Sequence, residues 1–470
     1  MNEPRSSNGV PSLVAIGVFS ALSIAAAITS QGFLEADACT HYMYARFAFQ
    51  HPYFFIDIWA RPVCTFIYSI PAVMAGRAGT QFTCLLIAIG CGLVAFRIAQ
   101  KRNFRWPVLA LIFTFAQPLL FLHSFNELTE LPFALLLGLG FLAYVSRWWW
   151  AFALVIGLTP LSRPEGFGFL LLGALALIAH RRWIWLPLLA LPLVAWDVAG
   201  WMAFGEPGHW WRWLIDNWPF SAISTYERGP FYYFVSLLPV FTGPLLLPFA
   251  CVGLWLCVKP LRIERLNDLL LAAIPLSMLF GHSLLYATGR MASNGEPRYM
   301  LIVAPFWALL AARGWEYTFA KLNWPEPIRL AGLAAILPIM ANNYYRVIPL
   351  KLTDDWVHAR DAAQWYQHAS IAKNYPHFVT AHQGIYYFLG TMGTTDWRRD
   401  ALAVPTPGTL IVWDPMYAIY NSDQRRVIHL DDLTQSGWLD ITEKCPKFGP
   451  DWHVLISPGD VQNRPAGSLQ

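Results

Sequence analysis

Leu34-Glu35-Ala36-Asp37-Ala38 comes directly after an apolar run over residues 11 to 30. That run has the roughly 20 residues a helix needs to cross a bilayer. The two carboxylates therefore stand at a membrane–water boundary, where charge is cheaper than at the bilayer centre but still calls for a reason. Taken alone, the pair also reads as a solvated loop marking the membrane edge. Three further polar clusters at the same expected depth weigh against that reading. They are His123-Ser124-Phe125-Asn126-Glu127-Leu128-Thr129-Glu130, Ser162-Arg163-Pro164-Glu165-Gly166 and Asn294-Gly295-Glu296-Pro297-Arg298-Tyr299.

Hydrophobic residues make up 56% of the 470 and charged residues only 13%. A soluble chain carries charge nearer about a quarter, so the composition belongs to a polytopic α-helical membrane protein. The net charge of +4 decides little, and nothing in the pattern asks for a nucleic-acid partner. Seven cysteines without CxxC pairs give neither a disulfide framework nor a zinc site. The first apolar run exceeds a typical signal-peptide core, and the acids beyond it look functional, so it reads as an uncleaved helix.

Residues 31–79 hold Arg46, Asp57, Arg61 and Arg77 among many aromatics, a pattern for amphipathic helices lying in the interface. Further spans are expected at 80–98 and near 106–122, 128–146, 148–162, 166–180, 183–201, 231–257, 268–288, 299–313 and 328–345. Basic residues orient them. A cytoplasmic N-terminus places Arg97, Lys101, Arg102, Arg105, Arg147, Arg181, Arg182, Lys259, Arg313 and Lys321 on the cytoplasmic side. The loops 31–79, 123–127, 163–165, 202–230 and 289–298 then face outside. This gives about eleven transmembrane helices within residues 1–350.

From residue 351 the long apolar runs stop. Phe378-Val379-Thr380-Ala381, Thr409-Leu410-Ile411-Val412-Trp413 and His453-Val454-Leu455-Ile456 read as short strands, with a helix over 361–372. The expectation is a small extracytoplasmic α/β domain over 351–470, near common domain size.

Each polar cluster alone suits a helix-terminal loop. Asn126-Glu127 fits a helix start, and Arg163-Glu165 a local ion pair. Together, acids and arginines at one depth describe an outward-opening cavity for an anionic lipid head and a hydroxyl to be deprotonated. His282 and Asp197 stand mid-span and read as satisfied packing groups.

The Glu-x-Asp after the first helix, the interfacial segment leading to Trp59-Ala60-Arg61-Pro62, and Glu296-Pro297-Arg298-Tyr299 before a span together resemble the GT-C glycosyltransferases. The run continues to Pro305 and to Ala311-Ala312-Arg313-Gly314, similar to the lipid-linked mannosyltransferases of that superfamily. Ser162-Arg163-Pro164-Glu165-Gly166 resembles a turn midway through many members. Ser293-Asn294-Gly295 stand where the stricter mannosyltransferase pattern carries a His.

The resemblance implies inverting transfer of a sugar, mannose or another hexose or pentose, from a polyprenyl-phosphate carrier. The acceptor is a glycan, lipid or protein on the non-cytoplasmic face of the cell membrane. It assigns Asp37 as base, with Glu35 as second candidate or as an orienting or metal-binding group. A divalent metal, Mg or Mn, stays open, because Glu35-x-Asp37 is too short a spacing to assign ligands. Arg298 and then Arg163 are expected on the carrier phosphate. Asn126, Glu127, Glu165 and Glu296 are expected to line the substrate cavity beside Arg61. Trp59, Tyr299, Trp210, Trp211 and Trp213 either stack on sugar or anchor in the interface. The competing class is a membrane transporter or flippase of a lipid-linked or anionic substrate. Against it, charges gather at one face, and no matching halves with broken helices are apparent.

Overall fold

A chain in lipid must satisfy its backbone groups internally, and helices do this within one segment. The computed structural model is mostly helical and describes residues 9–205, 227–259, 266–291, 293–322, 325, 348–393, 397–419 and 426–458. The chain divides into two compact units, Met1–Ser30 with Tyr44–Pro349, and Gln31–Met43 with Leu350–Gln470.

The first unit opens with α1 (Gly9–Thr29). The next helix, α2 (Ala36–Phe47), contains the boundary between the units. Next comes α3 (Pro62–Lys101), in which the 62–76 stretch is helical and is set off from the apolar remainder by a break at Ala75-Gly76. Gly76 takes φ 59° there, a left-handed geometry that suits glycine. The chain continues through α4 (Val108–Phe115), α5 (Pro118–His123), α6 (Glu130–Val145), α7 (Trp149–Ser162), α8 (Gly166–Ala179) and α9 (Leu186–Phe204). After residues 206–226, which lie outside the described set, the span expected at 231–257 is divided into two short helical turns, Tyr233–Ser236 and Leu238–Thr242, and α10 (Leu247–Val258); α11 (Leu266–Thr288) and α12 (Ala304–Lys321) follow.

Among the described residues, four helical segments are long and apolar enough to cross a bilayer: Val10–Thr29, Pro62–Lys101, Trp183–Ala203 and Leu266–Thr288. Four shorter apolar helices accompany them. Prolines explain where single spans expected from sequence are divided, since a helix interior cannot hold the ring without loss of a hydrogen bond. Pro118 separates α5 from α4, and Pro297 opens a tight 3-10 segment, Pro297–Val303, ahead of α12. The expected span at 328–345 and Trp210, Trp211 and Trp213 lie outside the described residues.

The core of this unit runs along α3, α4, α6, α7 and α12, with Phe113, Phe133 and Phe306 fully buried. On α1, Phe19 stacks on Phe115 of α4 at 4.3 Å. Large apolar side chains such as Leu13, Phe66, Leu171 and Met202 stay exposed on α1, α3, α8 and α9. Helices that face hydrocarbon carry such surfaces without penalty.

The second unit holds α13 (Asp354–His368), β1 (His377–Thr380), α14 (Gln383–Leu389), β2 (Thr409–Trp413), β3 (Leu439–Asp440) and β4 (His453–Ile456). The strands lie in the order β1-β2-β4-β3, with β1 and β2 parallel and the other pairs antiparallel. Side chains alternate across a strand, so a central strand feeds two cores. Leu410 and Val412 join Ala359, Ala362 and Ala363 of α13 in one core. Ile411 and Trp413 join Val379, Leu433 and Trp438 in the other.

Candidate active site

In the first unit the site is built on one sharp turn. Arg163 ends α7 in extended geometry, φ −161° and ψ 152°, and Pro164 after it cannot continue a helix. Glu165 then stands at the N-cap position of α8, its carboxylate turned to Arg163 and making no capping bond. Gly166 completes the turn, because a Cβ there would come within 2.2 Å of the Pro160 nitrogen. The turn fixes Arg163 between two carboxylates. Its Nη1 donates to Glu130 Oε1 at 2.7 Å and to Thr129 Oγ1 at 3.0 Å. Its Nε and Nη2 donate to Glu165 Oε1 at 3.1 and 2.8 Å. Glu130, the first residue of α6, is fully buried, so the pairing is required to hold a charge there.

The Pro297–Val303 segment brings the next residues to the same place. Arg298 Nε lies 3.5 Å from Glu130 Oε1, and the guanidinium carbons of Arg163 and Arg298 stand 5.5 and 5.9 Å from the Tyr299 ring centre. Tyr299 stacks on His282 of α11 at 4.7 Å and 22°, while its hydroxyl donates to Asn294 Oδ1. His282 Nε2 lies 3.5 Å from Glu165 Oε1. Arg163 and Glu165 thus meet Arg298 and Tyr299, more than a hundred residues on, in one cluster. Glu130 and His282 belong to it as well. Sequence reasoning passed over Glu130 in favour of Glu127, three positions earlier, and treated His282 as packing.

Arg61 differs from the other arginines of the site. It is buried, holds φ 61° immediately before Pro62, and makes no ion pair among the described residues. Left-handed geometry at a residue other than glycine is uncommon and costs energy. Its Nη1 donates to the Ile58 carbonyl at 3.2 Å, its Cζ lies 5.2 Å from the Trp59 ring centre, and its Nε has no hydrogen-bond partner. Arg61 lines a shallow, open recess whose other walls include Leu161, Phe167, Leu193 and Trp196. A cation at the edge of an apolar recess can take a ligand with an anionic head and a hydrocarbon body.

The other expected residues are placed differently. Glu127 is engaged by Arg77 at 3.7 Å and by the Thr80 hydroxyl at 2.8 Å, and Asn126 donates to the Leu122 carbonyl at 2.7 Å. Glu296 accepts from Asn294 Nδ2 at 3.4 Å. Glu35 and Asp37 belong to the second unit. Among the described residues no three His, Cys, Asp or Glu side chains form a set suited to a metal ion, so no ligand set is assigned.

Known structures share this architecture. ArnT from Cupriavidus metallidurans in the apo state aligns over 94% of this chain and 97% of its own, with a TM-score of 0.58 at 12% identity. The same protein bound to undecaprenyl phosphate aligns over 96% and 98%, with a TM-score of 0.60 at 13% identity. The apo oligosaccharyltransferase of Archaeoglobus fulgidus aligns over 78% of this chain and 59% of its own, with a TM-score of 0.51 at 13% identity. No family profile and no curated protein sequence matches the chain. Identities this low speak for fold alone, and the fold is the one this chain shares with ArnT and, over a smaller part, with the oligosaccharyltransferase.

Proposed function

We propose that this chain is an integral membrane glycosyltransferase that takes a sugar from a polyprenyl-phosphate carrier and passes it, with inversion, to an acceptor. The observation that carries the reading is Arg61, a buried cation with no ion-pair partner among the described residues, at the edge of an apolar recess. A carrier phosphate supplies the missing negative charge, and the first isoprene units match the walls formed by Leu161, Phe167, Leu193 and Trp196. The solved ArnT with undecaprenyl phosphate bound, on the same fold, adds support. Arg163 and Arg298 take second place as phosphate ligands, because Glu130 and Glu165 already engage them.

In the proposed reaction an acceptor hydroxyl gives its proton to the Asp37 carboxylate, and its oxygen bonds to the anomeric carbon. The bond from that carbon to the carrier phosphate breaks on the opposite face, and its electron pair leaves with the polyprenyl phosphate. Guanidinium groups neutralise the departing charge. Mannose, or another hexose or pentose, is the proposed sugar, and a glycan, lipid or protein the acceptor. The proposed topology has about eleven crossings, a cytoplasmic N-terminus and residues 351–470 outside. A C-terminal reporter that works only in the cytoplasm would overturn it by being active.

The test is purified protein in detergent with a panel of polyprenyl-phosphate sugars and acceptors, scored for glycosyl transfer. Transfer is expected, and Asp37→Asn should lower it roughly 10²–10⁴-fold, the usual cost of losing a general base. A transporter consumes no carrier where there is no second compartment. Absence of turnover across the panel contradicts the enzyme reading.

A further inference from the structure

The segment carrying Glu35 and Asp37 is built into the C-terminal unit at both of its ends. At the front, the Gln31 and Gly32 N–H groups both donate to the Leu350 carbonyl at 3.0 Å. Gly32 admits no side chain, since a Cβ would meet the Lys351 carbonyl oxygen at 2.4 Å. Phe33 follows, with its ring 5.4 Å from Trp356 of α13 and 5.1 Å, edge-on, from Tyr387 of α14. At the back, Tyr42 meets the same Tyr387 edge-on at 5.8 Å. Between these anchors Ala38 and Cys39 are fully buried. Trp356 is itself braced edge-on against His382 at 5.5 Å, and His382 is locked by accepting from the Gly384 N–H at 3.0 Å.

We propose that Phe33, set between Trp356 and Tyr387, is a positioning residue that fixes where the Asp37 carboxylate stands. The proposal rests on the reading of Asp37 as the base. Two consecutive backbone bonds set the register at residue 32, and the Phe33 ring sets the rotation of the segment. Phe33 and Asp37 are only four positions apart, and Asp37 lies in the first turn of α2, which leaves the carboxylate little freedom once Phe33 is seated. Aromatic pairs of this geometry stabilise beyond their buried area. Misplacement of a reacting group by about 1 Å costs on the order of 10²-fold in rate. The C-terminal unit therefore acts on the chemistry through Trp356 and Tyr387, which lie far from Asp37 in sequence.

The test uses the full chain in detergent, with polyprenyl-phosphate mannose and the rest of the donor panel, and compares Phe33→Ala, Phe33→Leu, Phe33→Tyr, Asp37→Asn and the Phe33→Ala/Asp37→Asn double variant. Phe33→Ala should lower kcat about 10- to 100-fold with the donor KM within about twofold, and Phe33→Tyr should restore most of it. The double variant should be no slower than Asp37→Asn alone, because the ring acts only through the carboxylate. Hydrogen exchange over residues 31–43 should quicken in Phe33→Ala and in Trp356→Ala, a readout independent of substrate. If Phe33→Ala does not fold, Phe33→Leu carries the same comparison. Parental kcat in Phe33→Ala, unchanged exchange, or losses that multiply in the double variant overturn the positioning role while leaving Asp37 in place. Full activity of Asp37→Asn overturns the base assignment, and the role of Phe33 with it.

Discussion

Two arginine clusters stand at opposite ends of α3, and they solve different problems. At the far end Arg102 and Arg313 both engage one carboxylate, Asp268 of α11. Arg313 reaches it at 2.7 and 3.1 Å, and Arg102 also donates to the Asn267 carbonyl at 3.0 Å. The result is a staple that joins α3, α11 and α12. At the near end, Glu130 and Glu165 engage Arg163 while Arg61 makes no ion pair among the described residues. Both clusters hold more guanidinium than carboxylate. The difference is that the excess at the near end lies on one buried residue beside an apolar recess. Charge counts locate both clusters, and only the pairing pattern separates a staple from the proposed carrier site.

Breaking the near cluster should have the largest effect on stability. Arg163→Ala leaves Glu130 and Glu165 without their closest partner in buried surroundings, which costs about 3–5 kcal/mol. Thermal melting in detergent should show a large fall, and a change no greater than a surface substitution would contradict the buried-pair account. Arg313→Ala should cost less, about 1–3 kcal/mol, because Arg102 still holds Asp268. The same melting series ranks the two.

The smallest effect concerns the second unit. Burial raises the Asp355 carboxyl, but His382 and the Thr353 hydroxyl beside it more than offset this and hold it at about 2. The folded value lies below the ordinary value of about 3.9. Ionised Asp355 thus contributes stability above about pH 4 that is lost as pH falls toward 2. Asp355→Asn should flatten that acid dependence between about pH 4 and 2, with little change at pH 7 beyond the contact itself. An identical acid profile in parent and variant would remove this carboxylate from the account.

Much of this is legible in the amino-acid sequence. Long apolar runs have few alternatives to helix in lipid, so α1 and α11 follow from length alone, and Thr409-Leu410-Ile411-Val412-Trp413 has the β-branched content of a buried strand. Arg163 and Glu165 are two positions apart, so their pairing is local. Glu130 was harder to see: Glu127 and Glu130 lie three positions apart in one polar run, and only the fold decides which one faces Arg163. His282 and Glu165 are far apart in sequence, and nothing local marks a mid-helix histidine as a carboxylate partner. Arg61 is one of six charged residues in the interfacial stretch 31–79, and its lack of an ion pair among the described residues is a tertiary property. The placement of residues 31–43 with the C-terminal unit rests on Phe33 and Tyr42 meeting Tyr387, a contact that periodicity does not encode.

The central claim is that Arg61, and not arginine content as such, marks the carrier site. The direct measurement is binding of polyprenyl phosphate to the purified protein in detergent, compared among the parent, Arg61→Ala and Arg102→Ala. A hydrogen bond to a charged group is worth about 1.5–3 kcal/mol, or roughly 10- to 150-fold in affinity. The account predicts a loss of that size in Arg61→Ala and parental affinity in Arg102→Ala. Equal losses in both variants, or none in Arg61→Ala, would contradict it.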